Sequence, residues 1–155
     1  MKILVCYATY SGGTQKAAEF ITQELSQHHV VTLKKIADTV PSDFEPFDLV
    51  ILGSCTWERT SDKKDGQLHI AFEEFITKTA GTKFPEKKFA VFGLGDTDYL
   101  HFCRAAEYLS AFVKDIQGTE IITPLKLNSF FFNQKESIEQ IKTWTQGLEA
   151  TIHSV

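Results

Sequence analysis

Short apolar runs alternate with amphipathic segments along the chain. Residues 3–7 are a continuous apolar run that ends in a cluster of Thr, Ser and Gly, the pattern of a strand buried on both faces of a parallel sheet. Residues 14–27 then place apolar side chains at helical spacing, and residues 30–33 form a second short run. These three segments predict a β-α-β unit.

The same alternation continues to the end of the sequence. Further strands are predicted at residues 49–53, 89–93 and 120–122, further helices at residues 67–79, 101–116 and 135–150, and a long polar loop at residues 54–66. Strands that alternate with helices indicate an α/β protein in which a parallel sheet is covered on both faces. Because one domain usually takes about 100 to 200 residues, residues 1–155 are expected to form a single domain.

Composition and charge narrow the class of protein. With 43% hydrophobic and 23% charged residues, the chain is neither disordered nor fibrous. The apolar run at residues 3–8 is far shorter than the ~20 residues of a membrane helix, so no membrane partner is expected. A net charge of −4 disfavours a nucleic-acid binder, which needs a basic face. Cys6, Cys55 and Cys103 lack C-x-x-C spacing, which argues against disulfides and zinc and for a cytoplasmic protein.

The loop after the first strand, residues 9–14 (TYSGGT), combines hydroxyl side chains with two glycines. Its backbone N–H groups and hydroxyls stand at the positive end of the following helix, where a phosphate group would fit. The sequence matches neither G-x-x-x-x-G-K-S/T nor G-x-G-x-x-G, which disfavours a P-loop NTPase and a dinucleotide-binding protein. The alternative is a turn that only starts the helix.

Two large aromatic residues lie in polar loops at the same edge of the predicted sheet. Trp57 follows the third strand and Tyr99 follows the fourth. A large ring in a polar loop is unfavourable unless it stacks on something flat, although either ring could instead fold back on the core. Together with a phosphate site, the two rings indicate a planar heterocycle on a phosphorylated tail.

Three segments resemble the flavin-binding loops of the flavodoxin family. Residues 9–14 resemble the family's Ser/Thr-x-Ser/Thr-G-x-T fingerprint. Residues 53–57 (GSCTW) resemble its second loop, and residues 91–96 (VFGLGD) with Tyr99 are similar to its third. The resemblance spans essentially the whole chain in the right order, and the length is similar to that of short-chain flavodoxins.

The resemblance implies a flavodoxin-like doubly wound sandwich, with a five-stranded parallel sheet of order 2-1-3-4-5, that binds FMN non-covalently. Residues 9–14 would hold the phosphate, Trp57 and Tyr99 would enclose the isoalloxazine, and main chain of residues 55–58 and 95–103 would contact the ring edge. The candidate cofactor-binding residues are Thr9, Tyr10, Ser11, Gly12, Gly13, Thr14, Cys55, Thr56, Trp57, Glu58, Gly95, Asp96, Tyr99, Phe102 and Cys103.

The function implied by the resemblance is electron transfer rather than catalysis. The chain would be a monomeric, low-potential carrier between a flavodoxin/ferredoxin-NADP reductase type donor and an acceptor oxidoreductase. FMN would supply the redox chemistry, and carboxylates such as Asp96, Asp98 and Glu58 would disfavour added negative charge on the ring. No catalytic residue or metal is expected. Two alternatives remain open: a small FMN-dependent reductase, and a flavin-free interaction module.

The residue after Trp57 departs from the family pattern. Flavodoxins usually have Gly there, and this chain has Glu58, followed by residues 59–64 before Asp65-Gly66-Gln67-Leu68, which looks like the family's D-G-E-L segment. Either the loop has gained residues, or the position that is Gly in the family is Glu58 here. In the family that Gly lets a peptide flip and accept a hydrogen bond from N5–H of the one-electron-reduced flavin. If Glu58 occupies the position, the flipped backbone with positive φ costs about 1 kcal/mol more than with Gly, or roughly 40 mV for one electron. We therefore predict a less stabilised one-electron-reduced flavin than a Gly-containing loop gives.

Three other conspicuous features have structural interpretations. Residues 130–132 (FFF) are expected to be core or to cover the fifth strand, with an exposed partner patch as the alternative. Trp144 lies on the apolar face of the last predicted helix and is expected to be core. His28 and His29 are expected to close the first helix, where positive charge suits the helix dipole.

Overall fold

The central feature of the computed structural model, which describes residues 1–59, 64–96 and 102–154, is a parallel sheet flanked by helices. In chain order the elements are β1 (Lys2–Ala8), α1 (Gly13–Leu25), β2 (Val30–Lys35), β3 (Leu49–Cys55), β4 (Trp57–Arg59), β5 (Lys64–Gln67), α2 (Ile70–Lys78), β6 (Lys88–Gly95), α3 (Arg104–Asp115), β7 (Thr119–Glu120), β8 (Leu125–Asn128) and α4 (Gln134–Ser154). Among the described residues, no helix is both long enough and apolar enough to cross a membrane.

The strand order of the main sheet is β2-β1-β3-β6-β7, with β8 also paired to β6, and all these pairs are parallel. This confirms the predicted order 2-1-3-4-5. The predicted fifth strand at residues 120–122 is wrong in extent, because two short strands share its place: β7 pairs with Lys88 and Phe89, and β8 pairs with residues 92–95. Pro124 lies between them and has no N–H to donate to the sheet.

Alternate residues of β1 face opposite layers of helices, as the period of a strand requires. Ile3 and Val5 pack in one apolar cluster with residues of α1 and α4. Leu4 and Cys6 pack in a second cluster with residues of α2 and α3. Both faces of the sheet are therefore covered, which explains why the central strands are continuous apolar runs instead of alternating ones.

The predicted polar loop at residues 54–66 contains a small antiparallel hairpin. Trp57 is paired with Gln67, and β4 pairs with β5, while residues 60–63 lie outside the described residues. Because Gln67 belongs to the hairpin, α2 begins at Ile70 and not at residue 67. Similarly, α3 begins at Arg104, after Cys103 in the left-handed conformation with φ of 50°.

The other structural expectations have mixed outcomes. Trp144 is 8% exposed, and its indole N–H donates to the Thr123 carbonyl at 2.9 Å. Phe130 is buried, whereas Phe131 is 54% and Phe132 is 91% exposed, so the aromatic run is only partly core.

Candidate functional site: a pocket at the carboxyl edge of the sheet

The ends of β1, β3 and β6 bring three loops together. The strands are parallel and in register, with Ala8 opposite Ser54 and Cys55 opposite Leu94. A cavity of about 150 Å³ lies between these loops. The residues that line it are Thr9, Ser11, Gly13, Thr14, Cys55, Thr56, Leu94, Gly95, Phe130 and Phe131.

The first loop leaves the N-terminus of α1 without a side-chain cap. Gly12 stands at the N-cap position with φ of 90°, a left-handed conformation that favours glycine. The Gly12 N–H donates to Thr9 Oγ1 at 2.9 Å, which closes the turn internally. Because the first amides of a helix have no acceptor within the helix, those of α1 are available to an anion in the cavity.

Thr14, in the first turn of α1, carries an unsatisfied hydroxyl. The residue is 1% exposed, and among the described residues its Oγ1 has no hydrogen-bond partner. A buried hydroxyl without a partner is unfavourable by about 1–3 kcal/mol. Since Thr14 lines the cavity, this hydroxyl is one that an occupant with acceptor oxygens would satisfy.

Cys55 adds a neutral thiol to the lining of the cavity. Burial raises the pKa of this thiol, and the backbone of Tyr10 and the Thr14 hydroxyl only partly offset that effect. The Thr14 hydroxyl is near enough to Cys55 to lower the pKa of the thiol, but the two groups do not meet the geometry of a hydrogen bond. An uncharged thiol does not repel an anion. Among the described lining residues none carries a charge, so an anion here would be held by amides and hydroxyls.

A stack of three rings adjoins the pocket. The Tyr10 ring stacks on His69, with ring centroids 3.8 Å apart. The Trp57 ring packs on Tyr10 in a tilted arrangement, with ring centroids 5.0 Å apart. The Tyr10 hydroxyl accepts from the Ile70 N–H at 3.1 Å. Trp57 is nevertheless 47% exposed. Tyr10 thus packs against one part of the indole of Trp57, and a large remaining indole surface is open to a flat ligand.

His69 is the N-cap of α2 and holds the far end of the stack. Its Nδ1 accepts from the Ala71 N–H at 3.0 Å, so the neutral ring carries its proton on Nε2. Burial lowers the pKa of His69, partly opposed by the Thr9 backbone and by Glu74. The neutral form is the one that caps the helix, because a proton on Nδ1 would remove the acceptor.

Replacing His69 separates its capping role from its titration. We expect His69→Ala to lower the free energy of unfolding by about 1 kcal/mol. His69→Asn should lower it much less, because Asn is a good N-cap. The pKa of His69 in the folded chain lies below its unfolded value of 6.5. At pH values between these two pKa values, the unfolded chain therefore binds more protons than the folded chain. His69 therefore contributes less stability as pH falls below 6.5. Urea denaturation of both variants and the wild type, at pH values above and below 6.5, measures this; equal pH dependence in wild type and His69→Asn would contradict it.

The third loop is held by close backbone packing. A Cβ on Gly95 would lie 2.5 Å from the Cys103 nitrogen, which only glycine tolerates. The Gly95 carbonyl accepts from the Ser129 N–H at 2.8 Å, and Thr56 Oγ1 accepts from the Ala105 N–H at 3.1 Å. The second loop, the third loop and the turn after β8 are thus tied together.

The structure brings most of the predicted residues to this edge, with different orientations. Residues 9–14, Thr56, Trp57 and Gly95 surround the pocket or its aromatic wall. The Cys103 thiol is instead fully buried and donates to the Gly93 and Leu127 carbonyls, and burial raises its pKa to about 12. Phe102 and Asp96 adjoin the third loop, and Glu58 lies in β4.

Tyr99, the predicted second aromatic wall, and Asp98 lie outside the described residues. Four contributors were not predicted: His69, Leu94, Phe130 and Phe131. Only the run of three phenylalanines could have drawn attention to the last two. The fold and this edge together define a doubly wound α/β protein with an uncharged pocket, lined in part by hydroxyl side chains, beside an aromatic wall.

Comparison with known proteins shows the family of this chain. The family model described as flavodoxin matches residues 5–144. Probable flavodoxin 2 of Bacillus subtilis (strain 168) is 33% identical over 131 residues, which cover 83% of this chain and 82% of the relative. The flavodoxin of Maridesulfovibrio salexigens is 26% identical over 149 residues, 95% of this chain and 96% of the relative. The chain belongs to the flavodoxin family, whose members are FMN-binding electron carriers.

Solved structures of flavodoxins share the fold. The crystal structure of oxidised flavodoxin 2 from Bacillus cereus matches with a TM-score of 0.85 and 28% identity, covering 100% of both chains. The Fusobacterium nucleatum flavodoxin bound to flavin mononucleotide matches with a TM-score of 0.81 and 20% identity, covering 96% of this chain and 97% of that one.

Proposed function

We propose that this chain binds one FMN, with the phosphate in the cavity at the N-terminus of α1 and the isoalloxazine against Trp57. The observation that carries the proposal is the buried Thr14 hydroxyl without a partner, next to helix amides without a side-chain cap. A phosphate group supplies the acceptors that both lack, at the end of the helix dipole that favours negative charge.

The remaining predicted residues have supporting roles in the proposal. Thr9, Ser11 and the backbone N–H groups of residues 10–14 other than Gly12 contribute donors, and Cys55 contributes a neutral part of the lining. The main chain of Gly95, Asp96, Phe102 and Cys103 would border the ring edge, with Tyr99 as the second wall. Tyr10 would act through Trp57, because its ring packs between Trp57 and His69 and its hydroxyl accepts from the Ile70 N–H.

With FMN bound, the protein would carry single electrons from a flavodoxin/ferredoxin-NADP reductase type donor to an acceptor oxidoreductase, as a monomeric single domain. FMN supplies the redox chemistry, and the protein supplies binding and orientation. The exposure of Trp57, 47%, supports this role, since a ring that stacks on it would lie at the surface, where redox partners can approach. Three free thiols fit the reducing cytoplasm that we propose as its location.

Reductive titration tests the carrier role. Purified protein loaded with FMN is titrated anaerobically with dithionite and, separately, mixed with NADPH and with NADH. We expect a yellow protein that dithionite reduces fully and that neither pyridine nucleotide reduces until a reductase is added. Rapid reduction by either nucleotide alone would favour the FMN-dependent reductase instead, and failure to bind FMN would favour the flavin-free module.

The Glu58→Gly variant tests the consequence of the departure from the family pattern. Gly at this position removes the penalty of about 1 kcal/mol for a positive φ, so the one-electron-reduced flavin should gain roughly 40 mV of stabilisation. Potentiometry with visible spectra at each potential measures the fraction of that species at the midpoint. A wild-type protein that already accumulates a large fraction of it would contradict the prediction.

A further inference from the structure

The turn after β8 places an aromatic ring on the phosphate pocket. Phe131 lines the cavity, and its Cε2 lies 3.4 Å from where a Cβ on Gly13 would stand. Leu94 Cδ2 approaches the same point to 3.2 Å. Gly13 has no side chain, so both apolar groups pack directly on the first residue of α1. The lining of the pocket therefore combines amides and hydroxyls with apolar groups that pack against the start of α1.

Phe131 is held in place by its neighbours. Its ring packs edge-to-face on the buried Phe130, with ring centroids 5.7 Å apart. The backbone of the turn is fixed by Ser129, whose N–H donates to Gly95 and whose carbonyl accepts from Phe132 at 2.9 Å. The next side chain, Phe132, is 91% exposed, whereas Phe131 is 54% exposed. Of the two adjacent residues, Phe131 lines the pocket and Phe132 does not.

We propose that Phe131 is a specificity-determining residue that selects a terminal phosphate monoester and rejects a cofactor in which that phosphate continues into a second phosphate and a nucleoside. The inference rests on the proposed binding of FMN. A monoester ends in oxygens that the amides and the Thr14 hydroxyl can satisfy. A diester must extend past the pocket, where the phenyl ring offers no donor.

The physical basis is the high cost of burying charge without a partner. A second phosphate against Phe131 and Leu94 would lose part of its water and gain no hydrogen bond from either side chain, which is unfavourable. For the monoester, the same ring excludes water from one side of the pocket and so strengthens the amide–phosphate interactions. One apolar group therefore weakens binding of the wrong cofactor and strengthens binding of the right one.

Paired alanine variants test the proposal. Apoprotein of the wild type, Phe131→Ala and Phe132→Ala is titrated with FMN, FAD and riboflavin, and binding is followed by quenching of flavin fluorescence. We expect Phe131→Ala to lower the preference for FMN over FAD by about tenfold or more, as truncating a group that shapes a pocket does. Phe132→Ala should keep the wild-type preference, because its ring does not line the phosphate cavity. Phe131→Leu, which keeps an apolar side chain at this position, should keep most of the preference for FMN over FAD.

The outcomes separate this inference from the proposed function. Wild-type protein that binds FMN, with Phe131→Ala showing an unchanged FMN-to-FAD ratio, would overturn the role of Phe131 and leave FMN binding intact. Equal effects of Phe131→Ala and Phe132→Ala would also overturn it. Wild-type protein that binds no FMN would overturn both. Urea denaturation of each apoprotein confirms that the variants are folded.

Discussion

The Thr14→Val variant is expected to bind FMN about tenfold to a hundredfold more weakly than the wild type while its apoprotein is as stable or more stable. A hydrogen bond to a charged group contributes about 1.5–3 kcal/mol, and Val cannot make it. In the apoprotein, however, the Thr14 hydroxyl is buried without a partner, so its removal relieves a penalty. Binding and stability should therefore change in opposite directions.

Thr22→Val is the matched control for this prediction. Thr22 Oγ1 is likewise buried without a partner among the described residues, but Thr22 lies two turns further along α1 and does not line the cavity. We expect the same effect on stability and no effect on FMN affinity. Fluorescence titration and urea denaturation of both variants measure the two quantities. Equal losses of FMN affinity in both would show that helix α1, and not the Thr14 hydroxyl, is responsible.

The second large effect is expected for Gly95→Ala. Its Cβ would lie 2.5 Å from the Cys103 nitrogen and 3.1 Å from the Cys103 Sγ, so the backbone of one segment must move. Such overpacking costs about 1–3 kcal/mol of stability. Because the Gly95 carbonyl also accepts from Ser129, the shift would propagate to the turn that carries Phe131. We expect lower stability together with weaker FMN binding.

Gly147→Ala separates this close approach from a general cost of removing glycine. Gly147 lies within α4, and its added Cβ would be 3.4 Å from Ile122 Cδ1, an ordinary contact. Ala is favoured over Gly inside a helix by about 0.5–1 kcal/mol, so this variant should be as stable as the wild type or more so. Urea denaturation of the Gly95→Ala and Gly147→Ala proteins shows whether the loss of stability comes from the close approach at Gly95 or from the removal of any glycine. A Gly95→Ala protein with wild-type stability and FMN affinity would contradict the account of the third loop.

The sheet and the phosphate loop were predictable because both are local in sequence. The apolar runs of β1, β3 and β6 are long enough to identify buried strands, and their alternation with helices fixes a parallel sheet. Residues 9–14 predict an anion site because the backbone and hydroxyls that would build it are adjacent in sequence, and the structure places Thr9, Ser11, Gly13 and Thr14 around the cavity. The hairpin of β4 and β5 was missed, since its short polar strands have no alternating pattern.

The rest of the site depends on residues that are distant in sequence. His69 supports Trp57 only because Tyr10 lies between them, 59 residues before His69 in the chain. Phe131 reaches the pocket only because the turn after β8 is bonded to Gly95. Neither contact leaves a local pattern, and the break between β7 and β8 likewise depends on where each strand meets β6.

Comparing FMN with riboflavin, which lacks the phosphate, tests the central claim most directly. Apoprotein is titrated with each flavin, and binding is followed by fluorescence quenching and by the visible spectrum. If the cavity at the start of α1 holds the phosphate, FMN should bind at least about a hundredfold more tightly, since several charge-assisted hydrogen bonds are lost without it. Equal affinities, or no binding of either flavin, would contradict the account.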